Sequence, residues 1–415
     1  MTFFRNIKIS FKIFKTHRTR TMLSVLGIII GITSVITIIN AGEGFRSFIV
    51  GQVEVFGTDY IEVEVKVPST KQTSTENAGG LAQGVSITTL KHDEALDIQK
   101  HPNISDVYSG VMGQEIVSYE DNNEVGLLWG VSGGFFEIDG TDIMEGREFS
   151  EEESQSLSQV VVLGYKMKQD LFGDDDALGR KIKIGKNKFK VIGIREEIGG
   201  GTFFDMDSMI ILPLKTLQKK VMGIDYVSFI VASVIDTDKA DQTAADITLI
   251  VREAHDITDP DKDDFAVVTS DEAMDMLDTI LNGITLFLVA IAGISLIVGG
   301  VGIMNIMYVS VLERTYEIGL RKSVGAKSSD ILWQFLGEAV LITFAGGAIG
   351  VLLGILFSFI ASVGAKSQGF ELDFVISYTG IITAFVFMVV VGLLFGIYPA
   401  KKAAGLDPIE ALRYE

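Results

Sequence analysis

The chain has 415 residues, 47% of them hydrophobic, and 54 Asp plus Glu outnumber 35 Lys plus Arg to give a net charge of −19. It has no cysteine, so no disulfide can brace it and every folded part must hold by core packing. So large an acidic surplus would suit a soluble acidic protein, but the charges and the apolar residues are not evenly mixed, and nucleic acid is not expected among the partners.

Residues 1–21 place Phe4, Ile7, Phe11 and Phe14 at helical spacing with Lys8, Lys12 and Lys15 on another face. That pattern predicts an amphipathic helix lying in the cytoplasmic interface, aromatic side down. The first long apolar run, Met22–Ile39, follows directly, and 22–41 is expected to span a membrane. A cleaved leader is disfavoured, because the basic lead and the apolar run are both too long and Ile39-Asn40-Ala41 lacks a small first residue. Three further apolar runs, Ile284–Val311, Ala339–Val363 and Tyr378–Tyr398, complete a set of four. About 20 apolar residues are what a helix needs to cross a hydrocarbon core of roughly 30 Å. The spans are expected at 22–41, 280–311, 338–363 and 378–398.

Lys and Arg near the span ends set the orientation. Arg5, Lys8, Lys12, Lys15, Arg18 and Arg20 precede the first span, and Arg314, Arg321, Lys322 and Lys327 lie between the second and third. Lys401, Lys402 and Arg413 follow the fourth, whereas the loop 364–377 carries only Lys366. Both termini (1–21 and 399–415) and the loop 312–337 are therefore expected in the cytoplasm of a cell-membrane, multi-pass protein, with 42–279 and 364–377 outside. The outer segment 42–279 holds 21 Lys plus Arg against 45 Asp plus Glu, so the acidity of the chain is concentrated there.

Within 42–279, Tyr60–Val67 alternates Ile61, Val63, Val65 and Val67 with polar residues and predicts a strand. Thr70–Gly84 reads as a mobile loop and Thr89–Lys100 as an amphipathic helix. Strands are expected at Glu115–Tyr119, Val125–Val131, Gln159–Leu163, Lys181–Ile184, Phe189–Ile194, Met209–Leu212, Val227–Val234 and Ala266–Thr269. Ala240–Arg252 is predicted helical, and Asp271–Ile280 as a helix entering the second span. The fold class is an integral membrane α-helical bundle of four transmembrane helices with a large α+β extracytoplasmic domain on a helical stalk. Its expected parts are an α/β region over about 42–113 and 220–279 and a strand-rich insertion over about 114–219.

Glycines four residues apart recur in the spans: Gly27 and Gly31; Gly346, Gly350 and Gly354; Gly392 and Gly396. Such spacing lets helix backbones approach and predicts a packed bundle. Charges within the spans are nearly absent, with Glu338 at an inner edge and Asn305 the conspicuous polar group, which argues against an ion channel or a proton relay. No phosphate loop, nucleophile elbow or metal-spaced histidine pair occurs, so neither catalytic nor metal-ligating residues are assigned. Asp259, Asp261 and Asp263 match the start of a calcium loop, but Asp264 stands where its glycine belongs and Ser270 where its last glutamate belongs. They are expected to form a solvated acidic turn, and Asp174–Asp176 and Gly199–Gly201 surface loops.

The cytoplasmic segments are more specific. Glu313-Arg314-Thr315-Tyr316-Glu317-Ile318-Gly319-Leu320-Arg321-Lys322-Ser323-Val324-Gly325-Ala326 precedes a second helical run, Asp330–Glu338. The tail reads Leu406-Asp407-Pro408-Ile409-Glu410-Ala411-Leu412-Arg413, with Asp407 placed to cap a short helix, Pro408 at its first position and Glu410 spaced for a capping box. On physical grounds these are polar surface helices fit to dock a soluble partner.

This loop and tail, with Leu26–Gly31 after a basic lead, resemble the MacB/FtsX-like permeases of ABC transporters, in their MacB branch. The likeness continues through Phe135-Phe136, Gly146–Phe149, Val162–Gly164, Leu171–Gly173, Leu178-Gly179 and Val191–Gly193. The resemblance implies a non-catalytic permease without a fused ATPase domain, forming a homodimer and served by a separate ABC ATPase subunit. ATP and Mg would be bound by that ATPase and no cofactor by this chain. It implies an ATPase-coupling loop carried by Glu313, Arg314, Glu317, Ile318, Gly319, Arg321, Lys322 and Gly325. It further implies mechanotransmission to the outer domain, driving export of peptides, antibiotics or similar compounds, with room for a membrane-fusion or adaptor protein. The alternatives are a lipoprotein-releasing permease and an FtsX-like regulator of cell-wall hydrolases. The loop and tail argue against the first and the size of the outer domain against the second.

Overall fold

The computed structural model describes residues 18–54, 59–66, 87–140, 142–198, 205–367 and 372–413. The expected interfacial helix up to residue 17, the loop Thr70–Gly84 and the Gly199–Gly201 turn lie outside them. In chain order the elements are α1 (Arg18–Glu54), β1 (Tyr60–Val65), α2 (His92–Ile98), β2 (Ile104–Tyr119), β3 (Asn122–Val131), β4 (Ile143–Gly146), β5 (Val160–Leu163), α3 (Tyr165–Phe172), β6 (Lys181–Ile184), β7 (Asn187–Arg195), β8 (Met209–Pro213), β9 (Phe229–Val234), α4 (Ala240–Ala254), β10 (Phe265–Thr269), α5 (Ser270–Glu313), α6 (Thr315–Ser323), α7 (Ser328–Lys366), α8 (Tyr378–Ala404) and α9 (Pro408–Leu412). Shorter turns of helix occur at Phe135–Asp139, Glu151–Gln155, Leu214–Thr216 and Leu217–Met222. The chain divides into two units, 49–277 and 1–48 with 278–415.

In the unit 49–277 the ten strands of the described residues join one sheet, in the order β10-β1-β9-β2-β3-β8-β5-β7-β4, with β6 pairing β2 and β7. The boundary expected at 114 falls inside β2, which pairs β9 through Ile104–Gly110 and β6 through Val117-Ser118. Side chains alternate between the faces of a strand, and here both faces are covered. Ile210 and Leu212 of β8 enter one core with Val161, Val191, Ile230 and Ala232. Met209 and Ile211 enter another with Trp129, Phe135, Ile192 and Val231. Burial on both sides explains why β5 and β8 read as unbroken apolar runs.

Polar residues enter this core in pairs. Arg195 and Asp139, on β7 and the turn after β3, form a fully buried ion pair. Asp263 is 1% exposed and takes Arg252 of α4 on both its oxygens, at 2.6 and 2.9 Å. This corrects the solvated acidic turn expected at 259–263: Asp261 is exposed, but Asp263 ties α4 to the start of β10. His255, just beyond α4, sits 2.7 Å from Asp264 and 3.6 Å from Glu94. The hydrogen bond to Asp264, helped by the Glu94 carboxylate, raises the His255 imidazole to about 9.

Among the described residues four helices are long and apolar enough to cross a membrane: Val25–Gly51 of α1, α5, α7 and α8. At 1.5 Å per residue a 44-residue helix such as α5 runs about 66 Å, twice what a hydrocarbon core requires. Small residues mark the contacts between these helices. A Cβ on Gly27 would stand 2.8 Å from Gly299 Cα, and one on Gly31 would overlap Leu296. Gly346, Gly350 and Gly354 face Val25, Ile32 and Ile36 of α1, while Gly392 and Gly396 face Val340 and Ala339 of α7. The close approach lets polar side chains of α1 reach α7 backbone: Thr33 Oγ1 donates to Gly350 O at 3.1 Å and Thr37 Oγ1 to Gly354 O at 3.4 Å. Asn40 donates to Ser358 Oγ at 3.3 Å and accepts from the Ser377 amide at 3.0 Å. In lipid such bonds matter because no water competes for the groups.

Candidate functional site

The polar segments after α5, before α7 and after α8 fold onto one another. Helix α6 is nine residues long, with Glu317 in its first turn and Arg321 and Lys322 in its last, a charge order that suits the helix dipole. Gly325 ends it at φ 99°, a conformation that a residue with Cβ resists. Its inner face is apolar and small. Ile318 and Gly319 are buried, and a Cβ on Gly319 would stand 2.7 Å from Ala411 Cβ of α9. Asp407 caps α9 by accepting from the Ile409 amide at 2.7 Å, with Pro408 in the first turn.

Polar bonds fasten α6 to the spanning helices. Arg314 Nη1 lies 3.2 Å from both oxygens of Glu338, whose side chain is 3% exposed. Gln334 donates to the same carboxylate at 3.3 Å and accepts from Arg321 at 2.7 Å, and Arg321 also holds Glu317 at 2.5 Å. A continuous chain of five polar side chains therefore links α6 to the N-terminal part of α7. Lys322 Nζ donates to Ala404 O at 2.6 Å and Leu406 O at 2.7 Å, placing a cation on the carbonyls that end α8.

The eight loop residues singled out from sequence thus divide by direction. Arg314, Ile318, Gly319 and Lys322 are turned into the protein, Arg321 lies along its edge, and Glu313, Glu317 and Gly325 are exposed. Three residues not singled out complete the outer face: Tyr316, Leu320 and Val324, the last 80% exposed. Tyr316, Glu317 and Leu320 fall on one side of α6, flanked by Glu313 at the end of α5 and Val324 just past the end of α6. An exposed apolar stripe rimmed by charge, on a helix pinned from behind, has the chemistry of a docking surface.

A family model described as the MacB-like periplasmic core domain matches residues 21–250, and one described as the FtsX-like permease C-terminal matches 289–408. The chain belongs to the MacB/FtsX-like permease family. It is 34% identical over 408 residues to the macrolide export ATP-binding/permease protein MacB of Bdellovibrio bacteriovorus and 36% identical over 412 residues to that of Chlorobaculum tepidum. Each comparison takes in 98% of this chain and 61% of the relative, so the chain spans about three-fifths of the length of those MacB proteins. Among solved structures, the periplasmic region of MacB from Actinobacillus actinomycetemcomitans is similar with a TM-score of 0.46 at 20% identity, covering 55% of this chain and 95% of that one. As a member of this family the chain is a permease component; α6 lies within the region matched by the FtsX-like permease C-terminal model, and α9 begins where that match ends at residue 408.

Proposed function

We propose that the chain is the permease of a MacB-type ABC transporter, with both termini and the α6–α9 platform in the cytoplasm and 42–279 outside. An ABC ATPase, carrying ATP and Mg, docks on the outer face of α6. The permease works as a homodimer in the cell membrane, and ATP-driven closure of the ATPases moves the outer domains to export peptides, antibiotics or similar compounds. An adaptor protein on the outer side fits the same scheme.

The observation that supports this reading most is the two-sidedness of α6. Tyr316, Leu320 and Val324 face away from the protein. Behind them, Arg314 and Arg321 grip α7 while Lys322 grips the end of α8. A push on the outer face is therefore passed to two spanning helices rather than absorbed by a loose loop. The test is cross-linking in membranes containing the ATPase. A cysteine at Val324 should form a permease–ATPase adduct with a short bifunctional reagent, whereas one at Leu286, exposed on α5, should not. Absence of any adduct from 316, 320 and 324 would overturn the docking assignment.

A further inference from the structure

Helix α5 carries a pattern that its packing within the protomer leaves unused except at Tyr308, which meets Lys402 of α8. One side of it is buried, with Ala292, Leu296, Ile303 and Met307 in the core of its unit. On the other side every seventh residue is exposed: Ile284, Ile291, Val298, Asn305 and Leu312. The positions three residues further on, from 287 to 308, are all aromatic or β-branched, and all exposed except the half-buried Tyr308. The two series together make a stripe with a 3.5-residue period over four heptads. Contact with lipid requires apolarity but imposes no such period. A 3.5-residue repeat is what two helices need to stay in contact while winding about each other.

Asn305 identifies the occupant. It lies on this stripe within an apolar span, where water cannot serve its amide, and its side chain finds no hydrogen-bond partner among the described residues. An amide both donates and accepts, so two asparagines related by a two-fold axis satisfy each other. In the heptad register Asn305 shares the series of Ile284, Ile291 and Val298. A single Asn in an otherwise apolar series of this kind fixes register and oligomer state. Two copies inserted the same way in a membrane are parallel without further requirement.

We propose that α5 pairs along this stripe with α5 of a second copy of the chain, Asn305 meeting Asn305 across the axis and setting the register. The inference rests on the homodimer proposed above and assigns its membrane surface. The helices cross at about +20°, the left-handed geometry of a heptad seam.

The chain has no native cysteine, so single-cysteine variants of the full-length protein can be oxidised in membranes without background. Ile284→Cys, Phe287→Cys, Ile291→Cys, Ile294→Cys, Val298→Cys and Val301→Cys should give disulfide dimers at least tenfold above Leu286→Cys, which is exposed but off the stripe. Asn305→Val should weaken self-association measured in liposomes by about tenfold. Dimer yield without the seven-residue period, or an Asn305→Val variant that associates as tightly as the parent, would each overturn the seam. Subunit counting by single-molecule photobleaching separates the two claims. Two copies per complex with no α5 cross-link sinks the seam alone, and one copy per complex sinks the homodimer with it.

Discussion

Replacing Arg314 by Met tests whether α6 is fastened to α7 as the geometry states. Glu338 is 3% exposed and receives Arg314 at 3.2 Å on both oxygens; its other partner is Gln334 at 3.3 Å. Removing one member of a buried ion pair typically costs about 3–5 kcal/mol, because the remaining charge stays desolvated. Arg314 is 18% exposed, so the lower end, about 3 kcal/mol, is expected. At roughly 2–4 °C per kcal/mol for a unit of 150–250 residues, the melting temperature should fall by about 6–12 °C. Replacing both members by apolar residues removes the stranded charge. Arg314→Met with Glu338→Leu should therefore recover to within about 1 kcal/mol of the parent. The assay is thermal unfolding of the full chain in nanodiscs, followed by Trp333 fluorescence in a Trp129→Phe background, those being the two tryptophans. A single variant that melts like the parent, or a double variant no better than the single, would refute the reasoning.

Two further outcomes follow from the packing. His255 has its folded value raised from 6.5 to about 9, so its contribution is fully present below about pH 6.5 and is lost as pH rises through 9. With its side chain 6% exposed, the loss amounts to roughly 2–3 kcal/mol, read as faster hydrogen exchange in α4 and β10 at pH 9.5 than at pH 7 after correction for intrinsic rates. His255→Gln should flatten that slope, and an unchanged slope would remove His255 as its cause. In the membrane unit, Gly350→Leu should cost about 1–3 kcal/mol or more, because a Cβ there would meet Ile32 at 2.9 Å and Ile29 O at 3.0 Å. Gly283→Leu, with nothing within 4 Å, should leave the melting temperature within a degree or two of the parent; equal effects at both sites would contradict the packing.

The sequence revealed the spans because crossing a bilayer requires long apolar runs, and it revealed β5, β6, β7, β8 and β10 because their apolar residues stand close together. The first half of β2 did not show. Ser109 and Gly110 interrupt its apolar pattern, although Ser109 is fully buried, held 2.7 Å from His92, and Gly110 leaves room for the Phe229 ring. Strand β4 gave no signal because its residues are mostly exposed. At the candidate site the charged residues of α6 were visible, but their directions were not. Arg314 answers to Glu338, 24 positions away, and Lys322 to carbonyls 82 and 84 positions away. Which charges turn inward depends on tertiary neighbours, and so does the exposure of Tyr316, Leu320 and Val324.

The most direct test of the central claim is permease-stimulated ATP hydrolysis in proteoliposomes containing the ABC ATPase and the variant Leu320→Glu with Val324→Glu. Both side chains are exposed, so the permease itself should melt as the parent does. If α6 is the surface through which the ATPase grips the permease, stimulated turnover should drop at least tenfold and the two proteins should no longer co-purify. Unaltered turnover with intact co-purification would contradict the account.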